Sequence, residues 1–180
     1  AVPGFGAEHR KLMHEYPNIG ATIVLVKETD SEGRVTVNDY GRPSISYDLG
    51  PRDLEYLKQG LKATAEVQFA AGAREVLTLH SRKTSFKSVD AIQDRLDHAE
   101  WGPNELALYS AHPLGTCRMG SDPRHSVVDA HCQTHDVKGL FVIDGSVTPT
   151  SLGVNPQITI LSIAEKSAEW VADNYSRLVG

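Results

Sequence analysis

His112 is the residue whose sequence context points most directly to proton chemistry. It stands between Ala111 and Pro113 and is followed by Leu-Gly-Thr, so the backbone around it is tightly constrained. An imidazole has a pKa of about 6.5 and exchanges protons near neutral pH, which makes His112 a candidate general base or acid. The alternative is a loop histidine whose ring only bonds a carbonyl group, and for this motif alone the structural role is the commoner one.

A second candidate site is the start of a predicted C-terminal helix. Asn155 and Pro156 suit the N-cap and the first helical position, and the helix is expected to run to about Tyr175. Residues 156–159 contain no carboxylate, although a helix N-terminus carries a partial positive charge that usually attracts one. This end is therefore free to meet an anion or an electron-rich oxygen, but many structural helices also lack the acid.

Asp144 and Gly145 follow a short apolar run, residues 140–143, that predicts a buried strand. Ligands of open α/β sheets bind at the carboxyl ends of the strands. At such a place an acid can accept a hydrogen bond from a sugar hydroxyl, and glycine allows the backbone to approach closely. A tight turn capped by Asp144 explains the dipeptide equally well.

A cluster of histidine and cysteine side chains raises a metal-binding alternative. Its members are His131, Cys132 and His135, with Cys117 and His125 upstream. Imidazole and thiolate together suit zinc. However, no CxxC pair supports a closed tetrahedral site, and residues 131–136 are more typical of a polar turn. We therefore assign no metal ligands, and a metal-binding domain stays the alternative interpretation.

Strands and helices of ordinary length must hold these candidates in place. A β-branched run at residues 19–27 predicts a strand. Apolar and polar side chains alternate in residues 34–38 and 44–47, around a turn at 39–43, which predicts an antiparallel pair with one wet face.

Helical periodicity follows. Residues 51–71 carry one apolar stripe, with Pro51 in the first turn and Gly72 at the stop. Residues 75–80 predict another strand, and Ser88 is placed to cap a short helix. The apolar positions on these helices are Leu54, Leu57, Leu61 and Ala65, then Ile92 and Leu96, and in the last helix Ile160, Ala164, Ala168 and Val171.

Composition limits the class of protein. The chain has 180 residues, 18 Lys plus Arg against 23 Asp plus Glu and a formal charge of -5, which favours one domain or slightly more. The acidity is mild and no basic run is present, so neither a nucleic-acid partner nor a polybasic membrane contact is expected. The longest apolar stretch is too short to span a bilayer.

Cys117 and Cys132 are expected to be free thiols. Because no signal peptide is visible, a cytoplasmic location is favoured.

Four segments, taken in order, are much more specific than any single motif. They are HPLGTCRMG at residues 112–120, SVVD at 126–129, GLFVIDGS at 139–146 and GVNPQITI at 153–160. Together they resemble the C-terminal part of the glucose-methanol-choline (GMC) flavin oxidoreductases. The close match covers residues from about 109 to 172, and the pattern from about 19 to 100 is similar to the family's substrate-binding region.

The resemblance implies an α+β fold that is part of an α/β FAD-binding fold. An antiparallel sheet with flanking helices would form the substrate domain, and a strand and the C-terminal helix would belong to the FAD-binding domain. We accordingly expect a substrate-binding region at residues 1–108 and a catalytic, FAD-contacting segment at residues 109–180.

The resemblance also implies an FAD-dependent oxidation of an alcohol by hydride transfer to flavin N5. The family's catalytic histidine falls on His112, and its second active-site position falls on Asn155. The family's FAD-contacting positions fall on the turn after the apolar run and on the start of the last helix, namely Asp144, Gly145, Asn155, Pro156 and Gln157.

The sequence departs from the family in one respect. The GxGxxG unit that binds the ADP half of FAD is absent from these 180 residues. We therefore expect the C-terminal portion of an enzyme that needs a missing N-terminal FAD-binding region, acts on a small-molecule alcohol and does not retain FAD alone. The chain by itself would be an inactive fragment, and it would expose apolar surface through which it could associate.

Overall fold

The computed structural model of the chain describes residues 4–179. They divide into two compact units, one formed by the residues up to Val26 with Leu54–Tyr109, and the other by Lys27–Asp53 with the residues from Ser110 onward. No helix within residues 4–179 is long and apolar enough to cross a membrane. The functional division at residues 1–108 and 109–180 stays a prediction.

The helices and strands confirm an α+β fold with small antiparallel sheets. In chain order they are α1 (Gly6–His14), β1 (Glu32–Val37), β2 (Pro43–Asp48), α2 (Pro51–Ala70), β3 (Val76–Thr78), β4 (Thr84–Phe86), α3 (Ile92–Asp97) and α4 (Gln157–Val179). Short 3-10 turns lie at Tyr16–Asn18, Val89–Ala91 and Gly145–Val147. Among the described residues, β1 pairs with β2 alone and β3 pairs with β4 alone.

The predicted hairpin is confirmed, but its predicted buried face is wrong. β1 and β2 are antiparallel, with Val35 opposite Ile45 and Gly33 opposite Tyr47. Both strands are exposed along their whole length, and Val35 and Ile45 are 48% and 74% exposed. A two-stranded sheet contains no further layer that could cover its apolar face.

The first unit has a core on one side of α2, as the helical stripe predicts. Leu57 and Ala65 are buried, and Gly72 with φ of 94° ends the helix two residues after its last turn. Ala65 packs in a cluster with Phe86, Ile92 and Leu96. The predicted inward side of α3 is thereby confirmed, and the strand predicted at residues 75–80 is present in shorter form as β3.

The strand predicted at residues 19–27 is wrong. This segment forms no ladder, and Ile23 is 90% exposed. Instead it contacts α2 through side chains: the Gln68 amide donates to the Thr22 hydroxyl at 3.3 Å, and Val24 lies against Gly60. The β-branched run has strand propensity, but within this unit it has no backbone partner.

The apolar run at residues 140–143 is also not a continuous strand. The Val142 amide donates to the Cys132 carbonyl at 3.0 Å, and Gln133 and Phe141 form a single bridge. Cys132 has φ of 65°, in the left-handed region. The Cys132 amide also donates to the Asp129 carbonyl at 3.1 Å, so the opposing segment emerges from a turn at this residue and the pairing stays short.

The last helix begins one residue later than expected, and its inward face differs from the predicted one at Ala168. Ser167 is buried and Ile163 packs against the core of the second unit, whereas Ala168 is exposed. The predicted inward positions Ile160, Ala164 and Val171 are half-buried, so the prediction fails only at Ala168. Alanine has too little side chain to decide which face of a helix is buried.

A reciprocal cap ties the start of α2 to the segment that precedes β1. The buried Asp53 carboxylate accepts hydrogen bonds from the Thr29 amide at 2.9 Å, from the Ser31 amide at 2.8 Å and from the Ser31 hydroxyl at 2.6 Å. In return the Asp30 carboxylate accepts from the Arg52 amide at 3.0 Å and from the Asp53 amide at 3.1 Å. Two N–H groups that a helix start leaves free are thus satisfied by a residue distant in sequence.

The ionised form of Asp53 is favoured by this arrangement. Burial raises the pKa of the carboxyl, but the hydrogen bonds from Ser31, Thr29 and Asp30 outweigh it and hold the pKa far below its ordinary value. A group whose pKa is lower in the folded than in the unfolded chain stabilises the fold above its unfolded pKa of about 3.9, and this contribution is lost as the pH falls.

We predict that Asp53→Asn lowers the free energy of unfolding by about 2–3 kcal/mol at neutral pH, because an amide cannot accept all of these hydrogen bonds. Urea denaturation should also show that the wild-type chain loses more stability than the variant between about pH 4 and pH 2. Asp39→Asn, on the exposed tip of the hairpin, is the control and should match the wild-type chain. Parallel pH curves for wild type and Asp53→Asn would contradict the prediction.

Candidate active site

Backbone hydrogen bonds fix the loop that follows His112. The Cys117 amide donates to the Ser146 carbonyl at 3.0 Å, and the Met119 amide donates to the Val147 carbonyl at 2.8 Å. The loop is therefore held along the turn at residues 145–147. These hydrogen bonds join backbone groups, so they do not depend on the identity of the side chains in the loop.

The turn at residues 145–147 is anchored in the core of the second unit. Val147 is fully buried together with Val128 and Cys132. The partly buried residues packed against this cluster are Met119, Val142 and Ile163. The loop, the turn and α4 therefore share one apolar anchor.

Gly145 is the point at which these three segments come closest. A Cβ atom built on Gly145 would lie 3.2 Å from Cδ1 of Ile160 in α4, 3.2 Å from Cδ2 of Leu114 and 3.3 Å from the Pro113 carbonyl oxygen. Such distances are tighter than ordinary van der Waals contact. Glycine thus permits a close approach here, as the sequence predicts for the Asp144-Gly145 dipeptide, although the neighbours in this structure are protein atoms.

His112 is half-buried at the beginning of the loop. Its imidazole makes no hydrogen bond to any residue that the structure describes, so the carbonyl-bonded alternative has no support here. Pro113 follows directly, and Gly115 has φ of 80°, a conformation that glycine adopts without strain. The backbone on the carboxyl side of His112 is thus fixed while its ring keeps both nitrogens available.

Asp144 caps the turn that follows it. Its Oδ1 accepts a hydrogen bond from the Ser146 amide at 2.7 Å, and the residue is exposed. The capping interpretation is therefore confirmed. A hydrogen bond from Asp144 to a ligand stays a prediction, for which the second carboxylate oxygen is the candidate acceptor.

The start of α4 presents polar residues and no acid. Asn155 and Gln157 are exposed, Pro156 between them is buried, and the Ile160 amide donates to the Pro156 carbonyl at 2.9 Å. No Asp or Glu occupies the first turn. The first turn of α4 therefore contains no carboxylate that could neutralise the partial positive charge at the helix N-terminus.

Thr148 was not identified from the sequence. It is buried, and its hydroxyl has no hydrogen-bond partner among residues 4–179. A buried hydroxyl without a partner is costly, so it marks a place where a ligand or water can supply one. The one feature of the sequence that could have drawn attention to Thr148 is a polar residue between the apolar Val147 and Pro149.

The histidine and cysteine cluster has structural roles. The His131 ring stacks on Trp170, with centroids 4.4 Å apart. Nε2 of His135 lies 3.1 Å from the Gly120 carbonyl oxygen and 3.0 Å from the Ser126 hydroxyl. Cys132 is buried, and both cysteines are free. Within the described part of the chain no three such side chains are arranged to hold a metal ion.

Comparisons with known proteins identify the family. The model of the C-terminal region described as GMC oxidoreductase matches residues 29–164. An uncharacterised GMC-type oxidoreductase of Mycobacterium tuberculosis is 34% identical over 163 residues, which are 90% of this chain and 25% of the relative. A long-chain-alcohol oxidase of Arabidopsis thaliana is 39% identical over 127 residues, which are 67% of this chain and 18% of the relative.

A solved structure agrees with these relatives. The crystal structure of pyridoxine 4-oxidase from Mesorbium loti has a TM-score of 0.56 and 26% identity, and the match covers 82% of this chain and 28% of that one. The chain therefore belongs to the GMC oxidoreductase family and corresponds to its C-terminal portion. It spans about a quarter of the length of the curated relatives that it matches.

We predict that Gly145→Ala lowers the free energy of unfolding by about 1–2 kcal/mol, because the added methyl group must displace Ile160, Leu114 or the backbone at Pro113. Urea denaturation of the chain measures the change. Gly20→Ala is the matched control, since a Cβ there meets no atom within 4 Å. Equal stability of the two variants would show that the close approach at Gly145 does not constrain the fold.

Proposed function

We propose that this chain is the catalytic C-terminal part of an FAD-dependent alcohol oxidoreductase. One observation carries the proposal: Gly145 in the Asp144 turn lies against Pro113 and Leu114 of the His112 loop and against Ile160 of α4, and these three segments form one frame. The family of the chain and the oxidases among its relatives support the same reaction class.

The residues of the frame fit a flavin cofactor. Anionic or electron-rich atoms are favoured beside a helix end without an acid, and the start of α4 at Asn155, Pro156 and Gln157 is such an end. Asp144 offers a carboxylate oxygen, and Thr148 offers a buried hydroxyl without a partner. Bound FAD would supply the acceptor for the hydride that leaves the alcohol carbon.

His112 is the proposed general base. Its ring is half-buried and has no hydrogen-bond partner among the described residues, so Nδ1 or Nε2 can take the proton of a substrate hydroxyl. Asn155 is the proposed partner that holds the substrate oxygen through its amide. The helix end beside Asn155 favours negative charge on neighbouring ligand atoms.

The substrate is proposed to be a small-molecule alcohol, selected mainly by residues 1–108. An alcohol with an extended apolar part is consistent with the name of the Arabidopsis relative, a long-chain-alcohol oxidase. The N-terminal FAD-binding region, which the family possesses and these 180 residues lack, is the proposed partner that completes the site.

In the complete enzyme, we predict that His112→Ala lowers kcat by about 10²–10⁴ with flavin still bound, as the loss of a general base requires. Steady-state turnover with an alcohol and the flavin absorbance of the purified variant are the two measurements. His125→Ala, an exposed histidine of the same unit, is the control and should retain turnover. Normal turnover of His112→Ala would remove His112 from the mechanism.

The 180-residue chain alone is predicted to purify colourless and to oxidise no alcohol. FAD affinity in such folds depends on a pyrophosphate held at a Gly-rich turn and a helix N-terminus, and that GxGxxG unit is absent from this sequence. An absorbance spectrum decides the outcome. Stoichiometric flavin bands from this chain would mean that its FAD site is built differently from the one proposed.

A further inference from the structure

Lys27 and Gly153 are in close contact two residues ahead of Asn155. Gly153 has φ of 69°, in the left-handed region. A Cβ atom on Gly153 would lie 3.2 Å from Cβ and 3.2 Å from Cδ of Lys27, and 3.5 Å from its Cγ. The aliphatic stem of Lys27 therefore runs along this turn, and a methyl group added at Gly153 would have to displace it by a few tenths of an ångström.

The segment that carries Lys27 is itself anchored. Two residues further on, the Thr29 amide and hydroxyl donate to the buried Asp53 carboxylate at 2.9 Å and 2.8 Å. The reciprocal cap described above thus fixes the backbone next to Lys27. The backbone from which the Lys27 stem extends is therefore held close to the turn against which the stem packs.

The contact is made by the methylene groups. The ion pairs found among the described residues do not include the Lys27 ammonium. Lysine side chains commonly cover neighbouring surface with their stems while the charged group stays in water. The role of Lys27 at Gly153 is therefore one of packing.

We propose that Lys27 is a positioning residue for the reaction: its stem supports the turn at residues 153–155 and so fixes Asn155 at the start of α4. The inference rests on the proposed function, in which Asn155 holds the substrate oxygen. Lys27 acts through Asn155 and does not touch the reacting atoms. A misplacement of about 1 Å can cost as much as about 10² in rate, so loss of this support should reach kcat.

A double-mutant cycle on the 180-residue chain tests the contact without any activity. Gly153→Ala adds a methyl group where the stem lies, and Lys27→Ala removes the stem. We expect the double variant to lose less in its urea midpoint than the sum of the two single variants, because the methyl group then has room. Lys87→Ala, an exposed lysine, combined with Gly153→Ala is the control and should be additive. Additive losses for the Lys27 pair would overturn the proposal.

Kinetics of the complete enzyme test the positioning. Lys27→Ala should lower kcat roughly tenfold with a smaller change in KM, and Lys27→Met, which keeps the stem without the charge, should recover most of the loss. Equal losses for both variants, or wild-type kcat for Lys27→Ala, would overturn the proposal. Normal turnover of His112→Ala would instead remove His112 from the proposed mechanism, and the midpoint cycle would still report on the contact between Lys27 and Gly153.

Discussion

The close approach at Gly145 is the constraint on which the candidate site depends. Three segments that are far apart in sequence meet at one glycine, beside the buried Val147, and the loop between them is held by main-chain hydrogen bonds. The backbone that follows His112 is held at this contact and by the hydrogen bonds of the loop. A backbone held in this way supplies the preorganisation that the proposed reaction requires.

A second constraint lies in the reciprocal cap between Asp30 and Asp53. It satisfies backbone N–H groups at the start of α2 and at the same time holds the segment from Thr29 to Ser31. Lys27, two residues before Thr29, packs against Gly153, so one segment takes part both in the cap and in the turn that precedes Asn155.

Periodicity and motifs predicted the elements whose partners are local. The hairpin, α2 and the buried side of α3 follow from alternation and helical spacing, and their turns follow from glycine and proline. The run at residues 19–27 was misjudged because strand propensity says nothing about whether a pairing partner exists. Residues 140–143 face a segment that emerges from a turn at the left-handed Cys132, and no local sequence pattern predicts such a residue.

The residues of the candidate site also fall into two groups, those that the sequence identifies and those that only the structure identifies. His112, Asn155 and the Asp144 turn could be selected from residue types and the family resemblance. The roles of Thr148, Lys27 and Asp53 could not, because each depends on contacts between residues that are distant in sequence. An aspartate in the first turn of a helix is ordinary, and only the structure shows that Asp53 collects the amides of another segment.

The cap also closes the base of the β1–β2 hairpin. The Gly50 amide donates to the Ser31 hydroxyl at 3.0 Å, just outside the two strands, while the tip is held separately by Asn38, whose side chain accepts from the amides of Tyr40 and Arg42. When the ends of a loop are already fixed, lengthening the loop raises the entropic cost of closing it by only about 0.6 kcal/mol for each doubling of its length. The exposed tip is therefore a permissive position at which an epitope or a fluorescent probe can be inserted while the rest of the unit keeps its geometry.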